Sequence, residues 1–380
     1  MQSKDKLSQL AARELDAVIN KVDQNISRFT NATPHLSDSL LFSDQLSQDG
    51  SWTAGFWFGM VCLAAIAQKN VGRYADYLSA FKPFFTRRIR TGHKDHDLGF
   101  LYQLYAVDAY RLTNDLDYLE LADTAARCLF ARFNPRGGYI RAWGALATEE
   151  RDGTLIADCM MNLPLLFSVS NAGGDPRFHE AAERHAEAML HAIRADGSIY
   201  HTFTFDPVTG APIGGGNEGG YADESCWSRG IAWVIYGYYM AWAHTGRSDF
   251  LEACLKTSAY FMQNTDPEQL PLWDFRCDDA ADNIIDTSAA AIVCCAFYRM
   301  TESLHNPRYG EFANRMLYAL IQKHSHAADP NAEALLDSGL CRRYVHEKRI
   351  SVHCATIWGD YFFMEALMLR SGHKVRMWEM

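Results

Sequence analysis

Residues 226–243 read CWSRGIAWVIYGYYMAWA, and this stretch decides the fold class. It is apolar on most sides, and its single charged side chain, Arg229, lies close to the start of the segment. A helix that is apolar around its whole circumference must also be buried around its whole circumference. Five other segments share this character, and they are residues 55–67, 98–112, 159–170, 288–300 and 358–369.

Amphipathic segments alternate with these apolar ones and carry their apolar residues at helical spacing. They are residues 7–29, 74–89, 116–133, 178–193, 250–262 and 309–321. The apolar segments begin near residues 53, 97, 158, 225, 286 and 357, so a helix pair repeats about every sixty residues. We therefore predict an all-α (α/α)6 toroid in one domain, residues 1–380, with an open helical solenoid as the alternative. Residues 138–143 and 198–205 are interpreted as short β-hairpin insertions, and residues 207–223 and 327–334 as loops.

Charge and composition exclude several classes of protein. The net charge is −10, which argues against general nucleic-acid binding, since that requires a basic face. The longest apolar run, residues 231–243, is too short to span a bilayer, and the N-terminus lacks the apolar core of a signal peptide. None of the ten cysteines forms a C-x-x-C pair, so we expect free thiols, a cytoplasmic location and no structural zinc.

The residues that precede the apolar helices are the first place to search for chemistry. Parallel inner helices would gather their N-termini, with unpaired N–H groups and partial positive charge, at one end of a toroid. Most of these junctions carry an acid or a hydroxyl, and each such residue taken alone is best interpreted as a helix cap. Asp158 precedes the apolar run 159–163, so we expect a raised pKa and a retained proton. Asp97 follows His96 in more polar surroundings, so we expect it to stay ionised.

Aromatic and basic side chains near these junctions suggest a sugar site. Trp52, Trp57, Trp143, Trp227 and Trp233 could stack on sugar rings, although core packing is the alternative for each and is favoured for Trp227. An arginine in a nearly uncharged helix must meet an acid or an anionic ligand. For the arginine at position 229, the structural alternative is a partner such as the acid at position 158 or 223.

A metal site is a rival interpretation of His93, Asp95, His96 and Asp97, but Gly92 and the local charges favour a loop there, and we predict no metal. The run His324-Ser325-His326 follows an amphipathic helix and is interpreted as an exposed turn.

Several motifs together resemble a known family. They are SWTAGFW at 51–57, HDLGF at 96–100, ADCMMNLPLL at 157–166, DESCWSRGIAW at 223–233 and WGDYF at 358–362. These motifs resemble those of the unsaturated glucuronyl hydrolases, glycoside hydrolase family 88, over nearly the whole chain. The resemblance implies an (α/α)6 barrel, no cofactor, and removal of a 4,5-unsaturated uronic acid from lyase-generated glycosaminoglycan-type di- or oligosaccharides.

The same resemblance implies roles for individual residues. Asp158 would protonate C4 of the unsaturated sugar and then assist addition of water at C5. Asp97 would hold the sugar hydroxyls and tune Asp158. The substrate-binding set that it implies is Trp52, His96, Trp143, His201, Arg229 and Trp233.

Some features depart from the family pattern or remain open. Many members carry Gln where this chain has Gly219, so a side-chain amide is missing unless Asn217 or Glu218 compensates. The basic segment 342–349 could reach a neighbouring acidic sugar or be a solvated loop. The alternatives are an unsaturated rhamnogalacturonyl hydrolase, a sugar epimerase that uses His201 or His353, and a non-catalytic scaffold or carbohydrate-binding protein.

Overall fold

The computed structural model describes residues 2–277, 284–341, 344–345, 348–349 and 352–379. The α-helices, in chain order, are α1 (Gln2–Ile26), α2 (Ala54–Ala67), α3 (Gly72–Ala80), α4 (Lys82–Thr91), α5 (Leu98–Tyr102), α6 (Asp108–Thr113), α7 (Leu116–Phe130), α8 (Leu163–Asn171), α9 (Arg177–Met189), α10 (Ser228–Thr245), α11 (Ser248–Gln263), α12 (Thr287–Leu304), α13 (Pro307–Lys323) and α14 (Ile357–Arg370). The strands are β1 (Leu36–Ser37), β2 (Phe133–Asn134), β3 (Tyr139–Ile140), β4 (Thr154–Ile156), β5 (Thr202–Phe205), β6 (Pro212–Gly216), β7 (Gly339–Leu340), β8 (Tyr344–Val345), β9 (Lys348–Arg349) and β10 (Val352–Thr356).

The predicted alternation of buried and amphipathic helices is confirmed. Every residue of 54–65 in α2, of 228–241 in α10 and of 357–368 in α14 is buried. The amphipathic helix α13 instead buries one stripe that includes Tyr309, Ala313, Met316 and Leu320. Residues 74–89 differ from the prediction because they form two helices, α3 and α4. Pro83 lies in the first turn of α4, and a proline inside a continuous helix would clash with the preceding turn.

The chain divides into two compact units, and the first comprises Met1–Ala80, Asn264–Trp273 and Asp278–Val375. In this unit the buried helix α14 packs against two other buried helices, α2 and α12. The amphipathic helices α1, α3 and α13 lie against this layer. Strand β10 pairs with β1 on one side and β7 on the other, both antiparallel. The interpretation of residues 327–334 as a loop is confirmed.

The second unit comprises Phe81–Gln263, Asp274–Cys277 and Arg376–Met380. Its buried layer is formed by α5 with a π-helical turn (Gln103–Val107) and α6, by a 3-10 helix (Ala157–Met161) with α8, and by α10. The amphipathic helices α7, α9 and α11 pack on this layer. The single catalytic domain stays a prediction.

Two β-structures decorate the second unit. Strands β2 and β3 form the expected hairpin near residues 138–143. Strand β5, within the predicted 198–205 region, lies between β4 and β6 in an antiparallel sheet. The interpretation of residues 207–223 as a pure loop was wrong at β6, because a glycine-rich strand carries little β signal of its own yet can pair as an edge.

Two further expectations concern the chain as a whole. All ten cysteines occupy described positions and carry free thiols, and most of them are buried. Within the described ranges, no helix combines the length and the apolar character that crossing a bilayer requires.

Candidate active site

Three buried helical segments of the second unit begin at one place. Asp97 precedes α5, Ala157 begins the 3-10 helix, and Ser228 begins α10. The charge of Asp158 acts on the carboxyl group of Asp97, and the charge of Arg229 acts on Asp158. The structure therefore brings together the two carboxyl groups and the arginine that the sequence predicted.

Asn162 joins the two acidic segments. Its Oδ1 accepts a hydrogen bond from the backbone N–H of Phe100 at 2.6 Å, and its Nδ2 donates to the backbone oxygen of Asp158 at 3.1 Å. Asn162 also forms a side-chain hydrogen bond with Asp97. A Cβ at Gly99 would lie 2.3 Å from Asn162 Cα, so only glycine permits this close approach of the two backbones.

The amide of the asparagine at position 162 thus satisfies a first-turn donor of α5, which leaves Asp97 without a capping role. Asp97 makes no side-chain capping hydrogen bond. The capping interpretation was right elsewhere, because Asp286 accepts from Ser288 N and Thr356 accepts from Gly359 N. The carboxyl group of Asp97 is therefore available for chemistry, whereas Asp286 and Thr356 serve as helix caps.

Asp158 is held by a histidine in a defined tautomer. The backbone N–H of Gly219 donates to His201 Nδ1 at 2.8 Å, so the ring proton belongs on Nε2. That Nε2–H donates to Asp158 Oδ2 at 3.1 Å. The side chain of Asp158 retains 15% exposure, so one edge of the carboxylate reaches solvent.

The electrostatics of Asp158 differ from the prediction. Burial is the largest influence and raises its pKa, as the apolar run 159–163 led us to expect. The hydrogen bond from His201 is the largest influence that opposes burial, and together with the positive charges around the site, that of Arg229 among them, it brings the pKa below the ordinary value. The prediction of a raised pKa for Asp158 was therefore wrong.

Asp97 shows the opposite shift. Burial and the negative charges of Asp95 and Asp158 raise its pKa well above the ordinary value. His96 Nδ1 lies 3.1 Å from the backbone oxygen of Ala142 and donates to it, so Nε2, 3.2 Å from Asp97 Oδ1, is left to accept. Burial lowers the pKa of His96, which favours a neutral ring beside a protonated Asp97. The prediction that Asp97 stays ionised in more polar surroundings was therefore also wrong, because burial and two like charges favour its protonated form.

Trp143 forms one edge of the site. Its ring lies 5.8 Å from the ring of His96 in an edge-to-face arrangement, and it is half-buried. The guanidinium carbon of Arg151 lies 4.0 Å from the Trp143 ring centroid, and Arg151 forms an ion pair with Glu218. One face of the indole is thus covered by a cation.

A buried arginine that the sequence analysis missed connects the loops on either side of this edge. Arg132 donates from Nη1 to the backbone oxygen of Lys94 at 2.9 Å and from Nη2 to that of Gly144 at 3.1 Å. Its Nε donates to the backbone oxygen of Arg141 at 2.8 Å. Arg132 lies in the turn that follows α7 and belongs to none of the motifs, so only the folded chain reveals its role.

Arg229 and two tryptophans line the start of α10. The Arg229 guanidinium carbon lies 4.5 Å from the Trp227 ring centroid, and both residues are buried. Trp227 also contacts the His201 ring at 4.6 Å, so it packs under the site, as the sequence favoured. Trp233 is fully buried and lies 5.1 Å from the ring of Phe100. A contact between Trp233 and substrate stays a prediction.

Trp52 and Trp57 belong to the first unit. The half-buried Trp52 ring lies 4.7 Å from that of Trp358. Trp57 is buried and donates from Nε1 to the Tyr77 hydroxyl at 2.8 Å, which agrees with the core-packing alternative. Binding of a sugar by Trp52 stays a prediction.

The departure at Gly219 has a structural reason. A Cβ at this position would lie 2.7 Å from Trp227 Cε3, so any side chain would have to displace the indole. Asn217 turns inward and donates from Nδ2 to Ser225 Oγ at 2.6 Å. Glu218 is committed to Arg151. Neither residue supplies an amide in place of the missing glutamine in this arrangement.

The rival metal interpretation has a geometric basis among the described residues. Asp95, His96 and Asp97 each offer one ligand atom, and these atoms lie within 4.8 Å of one another. The side chains of this group already contact one another. His93 Nε2 lies 3.2 Å from Asp95 Oδ2, and His96 Nε2 lies 3.2 Å from Asp97 Oδ1. The prediction of no metal stays a prediction.

Two other predictions concern the first unit. The turn at His324 and His326 is partly buried rather than exposed, because both rings contact Asp337 at 2.7 Å and 2.9 Å. Half of the basic segment 342–349 lies outside the described residues, and its function stays a prediction.

Comparison with known proteins decides the family. A sequence profile described as Glycosyl Hydrolase Family 88 matches residues 19–369. The chain belongs to this family. It is therefore a glycoside hydrolase.

Individual family members are similar over nearly their whole length. The chain is 33% identical to an unsaturated glucuronyl hydrolase of Bacillus sp. strain GL1, covering 91% of this chain and 92% of that protein. It is 34% identical to an unsaturated chondroitin disaccharide hydrolase of Streptococcus pyogenes serotype M1, covering 93% and 89%. A crystal structure of the unsaturated glucuronyl hydrolase from Bacillus sp. GL1, described as responsible for the degradation of glycosaminoglycan, superposes with a TM-score of 0.87 at 31% identity, covering 98% of this chain and 99% of that one. This match confirms the predicted all-α fold class of (α/α)6 type.

Proposed function

We propose that this family 88 enzyme removes a 4,5-unsaturated uronic acid from the non-reducing end of glycosaminoglycan-type disaccharides by hydrating the C4=C5 bond. Support for the substrate class comes from the similarity to a chondroitin disaccharide hydrolase and to a structure linked to glycosaminoglycan degradation. The observation that carries the proposal is a pair of interacting carboxyl groups with opposite pKa shifts, Asp158 lowered and Asp97 raised. Such a pair holds one proton at neutral pH, as an acid–base reaction requires.

Substrate binding is proposed to move that proton. Sugar hydroxyls that donate hydrogen bonds to Asp97 stabilise its ionised form. The uronate carboxylate also brings a second negative charge near Asp158 and Arg229, which raises the pKa of Asp158. Both effects favour Asp158 as the proton carrier in the complex. Asp158 then becomes the general acid, although the free protein keeps its proton on Asp97.

The chemical steps follow from the vinyl ether of the substrate. Asp158 protonates C4, and the positive charge is shared between C5 and the ring oxygen. Water adds at C5 and gives its proton to the Asp158 carboxylate. The resulting hemiketal opens, the glycosidic bond breaks and the neighbouring sugar leaves, with one water consumed overall.

The substrate-binding set is proposed to divide by chemistry. Arg229 pairs with the uronate carboxylate, since a guanidinium binds carboxylates in a bidentate manner. Trp143, which lies beside His96, supports the neighbouring sugar. His201 contacts the uronate while it orients Asp158, and Trp52 and Trp233 complete the set. The cytoplasmic location predicted above agrees with an enzyme that processes small fragments after their uptake.

Substitution of Asp158 tests the proposal. Asp158→Asn preserves the shape of the side chain but cannot carry the proton, so we expect kcat on unsaturated disaccharides to fall by roughly 10²-fold or more. Loss of the absorbance of the C4=C5 bond measures turnover, and calorimetry measures binding, which we expect to persist. Asp123→Asn, at a surface carboxylate that pairs with Arg127, is the matched control.

The outcomes separate the alternatives. A fully active Asp158→Asn enzyme would refute the proposed acid. Faster turnover of pectin fragments than of glycosaminoglycan disaccharides would identify a rhamnogalacturonyl hydrolase. A sugar product that is epimerised while its double bond is retained, with dependence on His201 or His353, would identify an epimerase. Binding of saccharide with no turnover of any fragment would identify a binding protein.

A further inference from the structure

Asp274 is a buried carboxylate outside the residues assigned to the reaction. Its side chain is almost inaccessible, with 1% of the residue exposed. It accepts hydrogen bonds from five donors, four of them within residues 217–226, and these are Ser225 Oγ at 2.6 Å, Tyr221 N at 2.9 Å, Arg276 N at 2.9 Å, Cys226 N at 3.1 Å and Asn217 Nδ2 at 3.4 Å. A buried carboxylate with this many donors is a rigid centre around which a loop is organised.

The loop that Asp274 organises, residues 217–222, reaches the catalytic pair. Its Gly219 N–H donates to His201 Nδ1 at 2.8 Å, and His201 Nε2 contacts Asp158 Oδ2 at 3.1 Å. A Cβ at Gly220 would lie 2.5 Å from Asp274 Oδ2, so the loop backbone presses directly onto the carboxylate. An unbroken series of contacts therefore runs from Asp274 to Asp158.

The same loop reaches a second part of the site. Glu218 pairs with Arg151, whose guanidinium covers the Trp143 ring at 4.0 Å. We call these contacts the Glu218 arm, and it leads to the predicted subsite of the neighbouring sugar. The contacts from Gly219 to His201 and Asp158 form the Gly219 arm, which leads to the proton carrier. The two arms leave from adjacent residues, so a substitution can alter one of them and spare the other.

We propose that Asp274 is a positioning residue that fixes the tautomer of His201 through the Gly219 N–H and thereby sets the protonation of Asp158. The inference rests on the proposed function for its kinetic consequence, but the tautomer itself is a property of the free protein. Release of the loop removes the donor that faces Nδ1. The ring proton can then move to Nδ1, which places the Nε2 lone pair against the Asp158 carboxylate.

The consequence for Asp158 follows from electrostatics. The hydrogen bond from His201 is among the influences that lower its pKa in the free protein. Without that bond, burial is opposed less strongly and the pKa of Asp158 rises. The acidic limb of the kcat/KM profile therefore moves to higher pH, and a disordered acid lowers kcat by roughly tenfold or more.

The test combines nuclear magnetic resonance with kinetics on Asp274→Asn in the full chain. Long-range 1H–15N correlation spectra report which ring nitrogen of each histidine carries the proton, and His201→Gln identifies the His201 signals. We expect Nε2 protonation in the unsubstituted protein and a mixture of tautomers in Asp274→Asn. Asp108→Asn is the matched control, since Asp108 is equally buried in the same unit and pairs with Arg111 at 3.2 Å. If Asp274→Asn does not fold, Ser225→Ala removes a single donor and is expected to shift the tautomer in the same direction.

A second variant separates the two arms. Glu218→Gln breaks the pair with Arg151 but leaves the Gly219 N–H in place, so we expect a higher KM with an unchanged His201 tautomer. A folded Asp274→Asn protein that keeps Nε2 protonated and retains the pH profile of the unsubstituted protein overturns the inference. Failure of the proposed function is a different result, because the spectra still report the tautomer when the unsubstituted protein does not turn over any unsaturated disaccharide.

Discussion

The close approach at Gly99 yields a quantitative prediction about the paired carboxyl groups. In Gly99→Ala the new Cβ would lie 2.3 Å from the Cα and the oxygen of Asn162. Carbon atoms in contact need about 3.5 Å, so the two backbone segments must separate by about 1 Å. The hydrogen bond from Phe100 N to Asn162 Oδ1, now 2.6 Å, would stretch to about the limit of hydrogen bonding.

The separation acts on both catalysis and the fold. A displacement of about 1 Å between reacting groups lowers the rate by roughly 10²-fold, or about 2.7 kcal/mol of activation free energy. The added methyl group also destabilises the fold by about 1 to 3 kcal/mol through overpacking. Disappearance of the C4=C5 absorbance measures kcat, and urea unfolding measures stability. Gly214→Ala is the control because its Cβ would meet no atom within 4 Å. A Gly99→Ala enzyme with kcat within twofold of the unsubstituted value would show that the spacing of the two segments does not matter.

Three further predictions concern other parts of the chain. Arg132→Lys removes the guanidinium group that donates to three backbone carbonyls and connects the loops beside Trp143. We therefore expect kcat/KM to fall roughly tenfold in the same absorbance assay. Asp286→Ala removes the cap of α12, and urea unfolding should show a loss of about 1 kcal/mol. Histidine partners bring the pKa of Asp337 to about 2, although burial opposes them, so its stabilising contribution is present above about pH 4 and is lost as the pH falls toward 2. Allowing for partial exposure, Asp337→Asn should lower the free energy of unfolding by about 1 kcal/mol at pH 5 and by less at pH 3; an equal loss at both pH values would exclude this origin.

Helix positions followed from the sequence because apolar character is a local property. A helix formed by residues 226–243 is apolar on most sides and is stable only inside a core. The structure buries every residue of 228–241. Boundaries depended on single residues with special stereochemistry. Pro83 lies in the first turn of a new helix where the periodicity alone predicted continuity. Strand β6 was missed since its glycines pair through the backbone and show no side-chain pattern.

Site residues could be predicted as a set, whereas their charges could not. The junction argument and the motifs identified Asp97, Asp158 and Arg229, which the fold brings together. The pKa of each carboxyl depends on neighbours that are distant in sequence, such as His201, which is 43 residues from Asp158. The apolar run after Asp158 correctly indicated burial, but burial is only one of the competing influences. Asp274 lies between Trp273 and Phe275, and an acid that is buried beside such apolar neighbours must be paired, but its partners are visible only in the folded chain.

The location of the shared proton leads to a prediction that separates the two carboxyl groups. In the proposed reaction Asp97 carries the proton in the free protein and Asp158 delivers it, so the unsubstituted enzyme draws on a proton already bound at neutral pH. Asp97→Asn removes that reservoir, and Asp158 must then take its proton from solvent against a lowered pKa. We therefore expect the residual activity of Asp97→Asn to fall about tenfold for each pH unit across the neutral range, where the unsubstituted enzyme shows a plateau. A plateau retained in Asp97→Asn would mean that Asp158 does not depend on the proton of its neighbour, and the role of the pair as one acid–base unit would be lost.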